Sequence, residues 1–68
     1  MEIKWEDGFE IRVRLDERSA IISANREGLM SLAGQLMALA GEDPGSHIHY
    51  DDNNSLEKGS SELIIEKI

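Results

Sequence analysis

The residues best suited to chemistry lie in the run Gly45-Ser46-His47-Ile48-His49-Tyr50-Asp51-Asp52, which holds both histidines of the sequence and two adjacent carboxylates. A His-x-His pair on a strand can offer two imidazoles to a zinc ion, with Asp51 as a third ligand. Either histidine, working with Asp51, could instead move a proton. The rest of the chain gives both chemistries little support. There is no cysteine and no third histidine, so carboxylates and water would have to complete any metal shell. No Gly-rich phosphate loop, nucleophile elbow or HExxH motif appears. One helix over a small sheet also leaves little room for a cavity that holds substrate away from water. The expectation is a protein that is not an enzyme and has no cofactor. A metal-binding module built on His47 and His49 is the least favoured alternative.

These residues depend on the elements that carry them. Successive side chains of a strand point to opposite faces. Ile48 and Tyr50 should therefore face a core, while His47, His49 and Asp51 share the solvated side. Upstream, Ile3 and Trp5 alternate with charged residues, and Asp7-Gly8 is the pair favoured in a two-residue hairpin turn. Phe9, Ile11, Val13 and Leu15 alternate with Glu10, Arg12 and Arg14, the clearest strand pattern in the sequence. Glu10, Arg12 and Arg14 are expected on the same open face as the histidines. After the polar turn 16–19, Ala20 to Ala24 reads as a third, more buried strand.

A helix is expected over residues 26–40. Asn25 is a good N-cap, Glu27 suits the positive end of the helix dipole, and Gly41 and Pro44 end the helix. Leu29, Leu32, Ala33, Leu36 and Ala40 make its apolar stripe, widened by Met30, Met37 and Leu39. Ser31, Gln35 and Ala38 make a weakly polar back. Residues 28–41 carry no charge. Gly34 in mid-helix costs about 1 kcal/mol relative to Ala, which suggests close approach of a strand or a partner. A strand over residues 46–51, a polar loop and a last strand from Leu63 complete the chain. The result is a single α+β domain over residues 1–68, an antiparallel sheet in the order β-β-β-α-β-β with the helix on one face.

Fourteen acidic residues against seven basic ones give a formal net charge of −7. Such a surface repels nucleic acid; its simplest use is solubility, and the alternative is attraction of a basic protein partner. No apolar run approaches the roughly 20 residues a membrane span needs. No basic start followed by an apolar stretch marks a secretion signal, so a cytoplasmic address is expected. A chain this short buries only about 60% of its unfolded surface, so partner binding would add useful stability.

Several short motifs share an order and spacing with a known family. They are Asn25-Arg26-Glu27-Gly28-Leu29, Ser31-Leu32-Ala33, Pro44-Gly45-Ser46-His47-Ile48-His49, Ser55-Leu56-Glu57-Lys58-Gly59-Ser60 and Glu62-Leu63-Ile64-Ile65. Together they resemble the immunity proteins numbered thirty-two in bacterial polymorphic toxin systems, over roughly residues 20 to 68. The resemblance implies a cytoplasmic antidote that binds a cognate toxin domain, often a nuclease or other enzyme, and has no catalytic residues of its own. Gly45, His47, His49, Leu56, Glu57 and Gly59 match the shared pattern. Gly45 and Gly59 are most simply turn residues. Leu56 is either a loop anchor or an exposed contact, and Glu57 is either solvated or a contact. The expected partner-binding residues are His47, His49, Asp51, Asp52, Leu56 and Glu57. Glu42 and Asp43 add a second acidic loop beside the same strand. A different class of function also fits: a small homodimeric structural or regulatory module using the helix surface or a strand edge.

Overall fold

The computed structural model describes residues 1–68. The elements are β1 (Ile11–Asp16), β2 (Ser19–Ala24), α1 (Arg26–Ala40), β3 (His47–Tyr50) and β4 (Leu63–Glu66). This is an α+β domain of two hairpins and one helix. β1 and β2 pair antiparallel from Ile11↔Ala24 to Asp16↔Ser19, and β3 and β4 pair antiparallel from His47↔Glu66 to Tyr50↔Leu63. The strands therefore form two two-stranded sheets where one sheet was expected. The loop before β4 bridges them. Glu57 N–H donates to Ile11 C=O and Ser61 N–H to Val13 C=O, both at 2.8 Å, and Val13 N–H donates to Ser60 Oγ at 3.2 Å. These bonds satisfy the edge of β1 that β2 leaves free.

That edge was expected to pair with an N-terminal strand, and no such strand forms. Asp7-Gly8 does make a turn, with Gly8 at φ 81°, but the residues before it lie against α1. Gln35 Nε2 donates to Lys4 C=O at 2.8 Å, and Glu6 N–H donates to Ser31 Oγ at 2.8 Å. Trp5 stacks on Phe9 with ring centroids 4.3 Å apart, and meets the ring of Tyr50 edge-on at 6.2 Å.

This docking fixes the rotation of the helix. The buried helical residues are Gly28, Ser31, Leu32, Gln35 and Leu39. Of the stripe expected inside, Leu29, Ala33, Leu36 and Ala40 are exposed, as are Met30 and Met37. Ser31 and Gln35, expected on the polar back, are buried instead. The N-terminal segment has no ladder to satisfy its backbone, and these two side chains supply partners for it. No buried side-chain nitrogen or oxygen is left without a hydrogen bond, as a well-formed interior requires.

The core is Ile11, Val13, Leu32, Leu39, Ile48, Tyr50 and Leu56, with Trp5, Phe9, Ala24, Leu63 and Ile65 packed against it. The apolar face of β1 is covered only as far as Val13. Leu15, beside the turn at Glu17 (φ 54°), is 69% exposed. β2 is mostly exposed, contrary to expectation. The helix boundaries match the expected ones, because Asn25 caps the first turn through Gly28 N–H at 2.8 Å. The same carboxamide accepts from Glu10 N–H at 3.0 Å and donates to Gly8 C=O at 2.9 Å, tying the chain entering β1 to the helix start. The close approach inferred for Gly34 occurs at Gly28. A Cβ there would lie 2.5 Å from Glu10 O, whereas one at Gly34 would meet nothing within 4 Å.

Candidate functional site

β3 places the histidines as its alternation dictates. Ile48 and Tyr50 are buried, while His47 and His49 are exposed. His49 Nε2 lies 2.9 Å from Glu62 Oε2 and 3.7 Å from Asp51 Oδ2. Nδ1 of His47 lies 3.4 Å from Gly45 O. No three His, Cys, Asp or Glu side chains are arranged to hold a metal ion. Glu10, Arg12 and Arg14 do not join the histidines. They line a cleft of about 490 Å³ with Ser23, Asn25 and Glu57, beside the first hairpin.

The loop after β3 is built by its own acids. Asp51 C=O accepts the N–H groups of Asn54, Ser55 and Leu56 at 3.3, 3.1 and 2.9 Å, and its Oδ1 accepts those of Asn53 and Asn54 at 2.9 and 3.0 Å. Asp52 Oδ2 accepts Gly59 N–H at 3.2 Å and closes the loop from the other side. Both aspartates are therefore loop-formers as well as charges. Leu56 is 7% exposed and sits in the core, which fits the anchor and leaves little of it for a partner to touch. Glu57 is half-buried, held by its backbone bond to β1.

Sequence reasoning passed over the other half of this surface. On β4, Ile64 and Glu66 alternate with the half-buried Leu63 and Ile65. The register sets His47 opposite Glu66 and His49 opposite Ile64. The outward face of the second hairpin thus holds His47, His49, Glu62, Ile64 and Glu66, with Ile64 54% exposed among polar neighbours. An exposed apolar side chain ringed by polar ones is how protein contact surfaces are commonly built. The signal was present: antiparallel pairing of the last strand with residues 47–50 brings its charged positions beside the histidines. Residues 41–68 hold seven acids (Glu42, Asp43, Asp51, Asp52, Glu57, Glu62, Glu66) against Lys58 and Lys67. The difference, seven less two, is −5 of the total −7.

One titratable group departs clearly from its ordinary behaviour: burial raises the pKa of the Tyr50 hydroxyl. That hydroxyl donates to Gln35 Oε1 at 2.7 Å and has no solvent access, so it serves packing.

The family model for Immunity protein 32 matches residues 20–68. The chain belongs to that family. The match runs from β2 to the C-terminus, so it takes in the whole second hairpin and its loop, while residues 1–19 lie outside it. Membership implies neutralisation of a toxin, and immunity families are typically non-enzymatic. Comparison with curated proteins and with solved structures gives no match. No helix is long and apolar enough to cross a membrane.

Proposed function

We propose that this chain is a non-enzymatic antidote that binds a cognate toxin domain in the cytoplasm and blocks it with the outward face and acidic loop of the β3–β4 hairpin. Membership of the immunity family carries the proposal. The concentration of negative charge after the helix supports the choice of surface. A basic toxin, such as one that must hold a nucleic acid, is drawn to this end of the molecule, and steering of that kind raises association rates and selects partners. His47, His49, Glu62 and Glu66 supply directional hydrogen bonds around Ile64. Asp51 and Asp52 form the acidic rim, and Glu57, in the cleft with Arg12 and Arg14, extends it toward the first hairpin. Leu56 acts from beneath, holding the loop in shape.

The test is co-expression with toxin domains from the chain's native host, followed by association kinetics on the purified pair. Wild type should rescue growth and form a complex; absence of both removes the antidote reading. Charge reversal at Asp51 and Asp52 should slow association and weaken its salt dependence, but it would also break the loop. Asp51→Asn with Asp52→Asn keeps the acceptor oxygens, and should give the same change in kinetics with the fold intact. A further Glu62→Gln should deepen it. Unchanged association would move the contact surface elsewhere.

A further inference from the structure

The outward face of α1 has no role in the fold described above. Leu29 is 55% exposed, Met30 51%, Leu36 44% and Met37 78%. Ala33 and Ala40 are exposed between them. Helical spacing puts Leu29, Ala33, Leu36 and Ala40 in one line, with Met30 and Met37 alongside. A helix facing water ordinarily shows charge on that side, yet residues 28–41 have none in a chain that is 31% charged. Together these side chains present roughly 500 Å² of apolar surface, near the upper end of what a monomer commonly leaves open.

We infer that this face is a self-association surface on which a second copy packs its own α1 antiparallel about a two-fold axis. The sequence is symmetric for that arrangement about the midpoint between Gly34 and Gln35. Leu29 then meets the partner's Ala40, and Ala33 meets the partner's Leu36, large against small. A two-fold interface demands such self-complementarity. The helix dipoles oppose, which is favourable. The ends match in charge as well: antiparallel packing brings Arg26, whose side chain is 79% exposed, toward the acidic turn after the second copy's helix, where Asp43 is exposed. The same packing brings Glu27 toward the partner's Glu42, a like-charge approach that weakens the match. Two such faces bury about 1,000 Å² in all, the lower bound for a specific protein interface, so the dimer is a weak, reversible one. It leaves the β3–β4 hairpin free.

Sedimentation equilibrium of the full chain, with circular dichroism as the check on folding, tests this. Wild type should show a concentration-dependent monomer–dimer equilibrium. Leu36→Glu, at a half-exposed position, should raise the dissociation constant by about tenfold or more with an unchanged spectrum, and Met37→Lys gives a second lesion at a more exposed site. Arg26→Asp and Asp43→Arg should each weaken the dimer, and the double exchange should restore it, because only the antiparallel pairing brings those two ends of the helix region together. A wild-type monomer at millimolar concentration overturns the inference, as does a dimer indifferent to Leu36→Glu and Met37→Lys. A dimer that the charge exchange fails to restore overturns the antiparallel arrangement. A monomeric wild type whose binding to a toxin domain that it neutralises is lost on Leu36→Glu assigns the face to the toxin and overturns the second copy.

Discussion

Tyr50 and Gln35 form the one buried side-chain pair joining three parts of the chain. The Tyr50 hydroxyl on β3 donates to Gln35 Oε1 on α1, and Gln35 Nε2 donates to Lys4 C=O in the N-terminal segment. Tyr50→Phe removes the donor and leaves Gln35 Oε1 buried without one. The expected loss is about 1–3 kcal/mol, read as a lower urea midpoint, and an unmoved midpoint would mean the bond has no net value. The pH dependence has a definite sign. Burial raises the Tyr50 pKa above its ordinary 10.0, so the unfolded chain gives up this proton first. Its contribution is fully present below that value and falls as pH rises beyond it. Urea midpoints measured above pH 10 should therefore drop faster for wild type than for Tyr50→Phe, in which only the remaining groups titrate. The burial of Tyr50 was legible from strand alternation alone. Its partner was not, because a glutamine in a weakly amphipathic helix looks like a solvated residue until something polar lies beside it.

At the scale of elements, α1 separates what local sequence decides from what packing decides. Its limits were legible because Asn25 and Gly41 act within one turn of themselves. Its rotation was not. With no charge between residues 28 and 41 to mark the wet side, Leu29/Ala33/Leu36/Ala40 and Gly28/Leu32/Gln35/Leu39 are both acceptable inner faces by spacing. The choice fell to Gly28, which lets β1 approach, and to Ser31 and Gln35, which bind the N-terminal segment. The missing first strand has the same origin. Residues 3–5 alternate as a strand should, but Glu57, Ser60 and Ser61 already satisfy the edge of β1 they would have joined, a long-range pairing that no local pattern reveals. The two helical glycines should therefore respond oppositely to the same substitution. Gly34→Ala adds a Cβ to open space and should stabilise by about 0.5–1 kcal/mol through helix propensity. Gly28→Ala drives its Cβ against Glu10 O and Ile11 Cγ1, at 2.5 and 2.9 Å, and should destabilise by about 1–3 kcal/mol despite the better propensity. Thermal melts of the pair check this, and two shifts of the same sign would mean that the helix does not sit on β1 as described.

For the whole molecule, the net charge of −7 and the apolar helix face pull in different directions, and salt separates them. Half the acids lie in residues 1–40, where five basic residues offset most of them; the imbalance sits in the 28 residues that follow. That asymmetry was legible as charge. The placing of Glu62 and Glu66 beside the histidines was not, because it needed the register of β3 with β4. Two copies repel each other over distances that the Debye length sets, about 10 Å at 0.1 M salt and about 3 Å at 1 M. The Arg26–Asp43 pairs at the rim of the inferred dimer are exposed and contribute little each. Screening should then remove more repulsion than attraction. Raising salt from about 0.05 to about 0.5 M should tighten self-association several-fold, while it slows encounter with a basic toxin by about tenfold or more. Sedimentation and stopped-flow mixing across that range measure both on the same preparation. If both weaken with salt, charge holds the two copies together and the uncharged helix face is not the contact. If neither responds, the acidic hairpin is not steering a basic partner, and the clustering of acids serves only to keep the protein in solution.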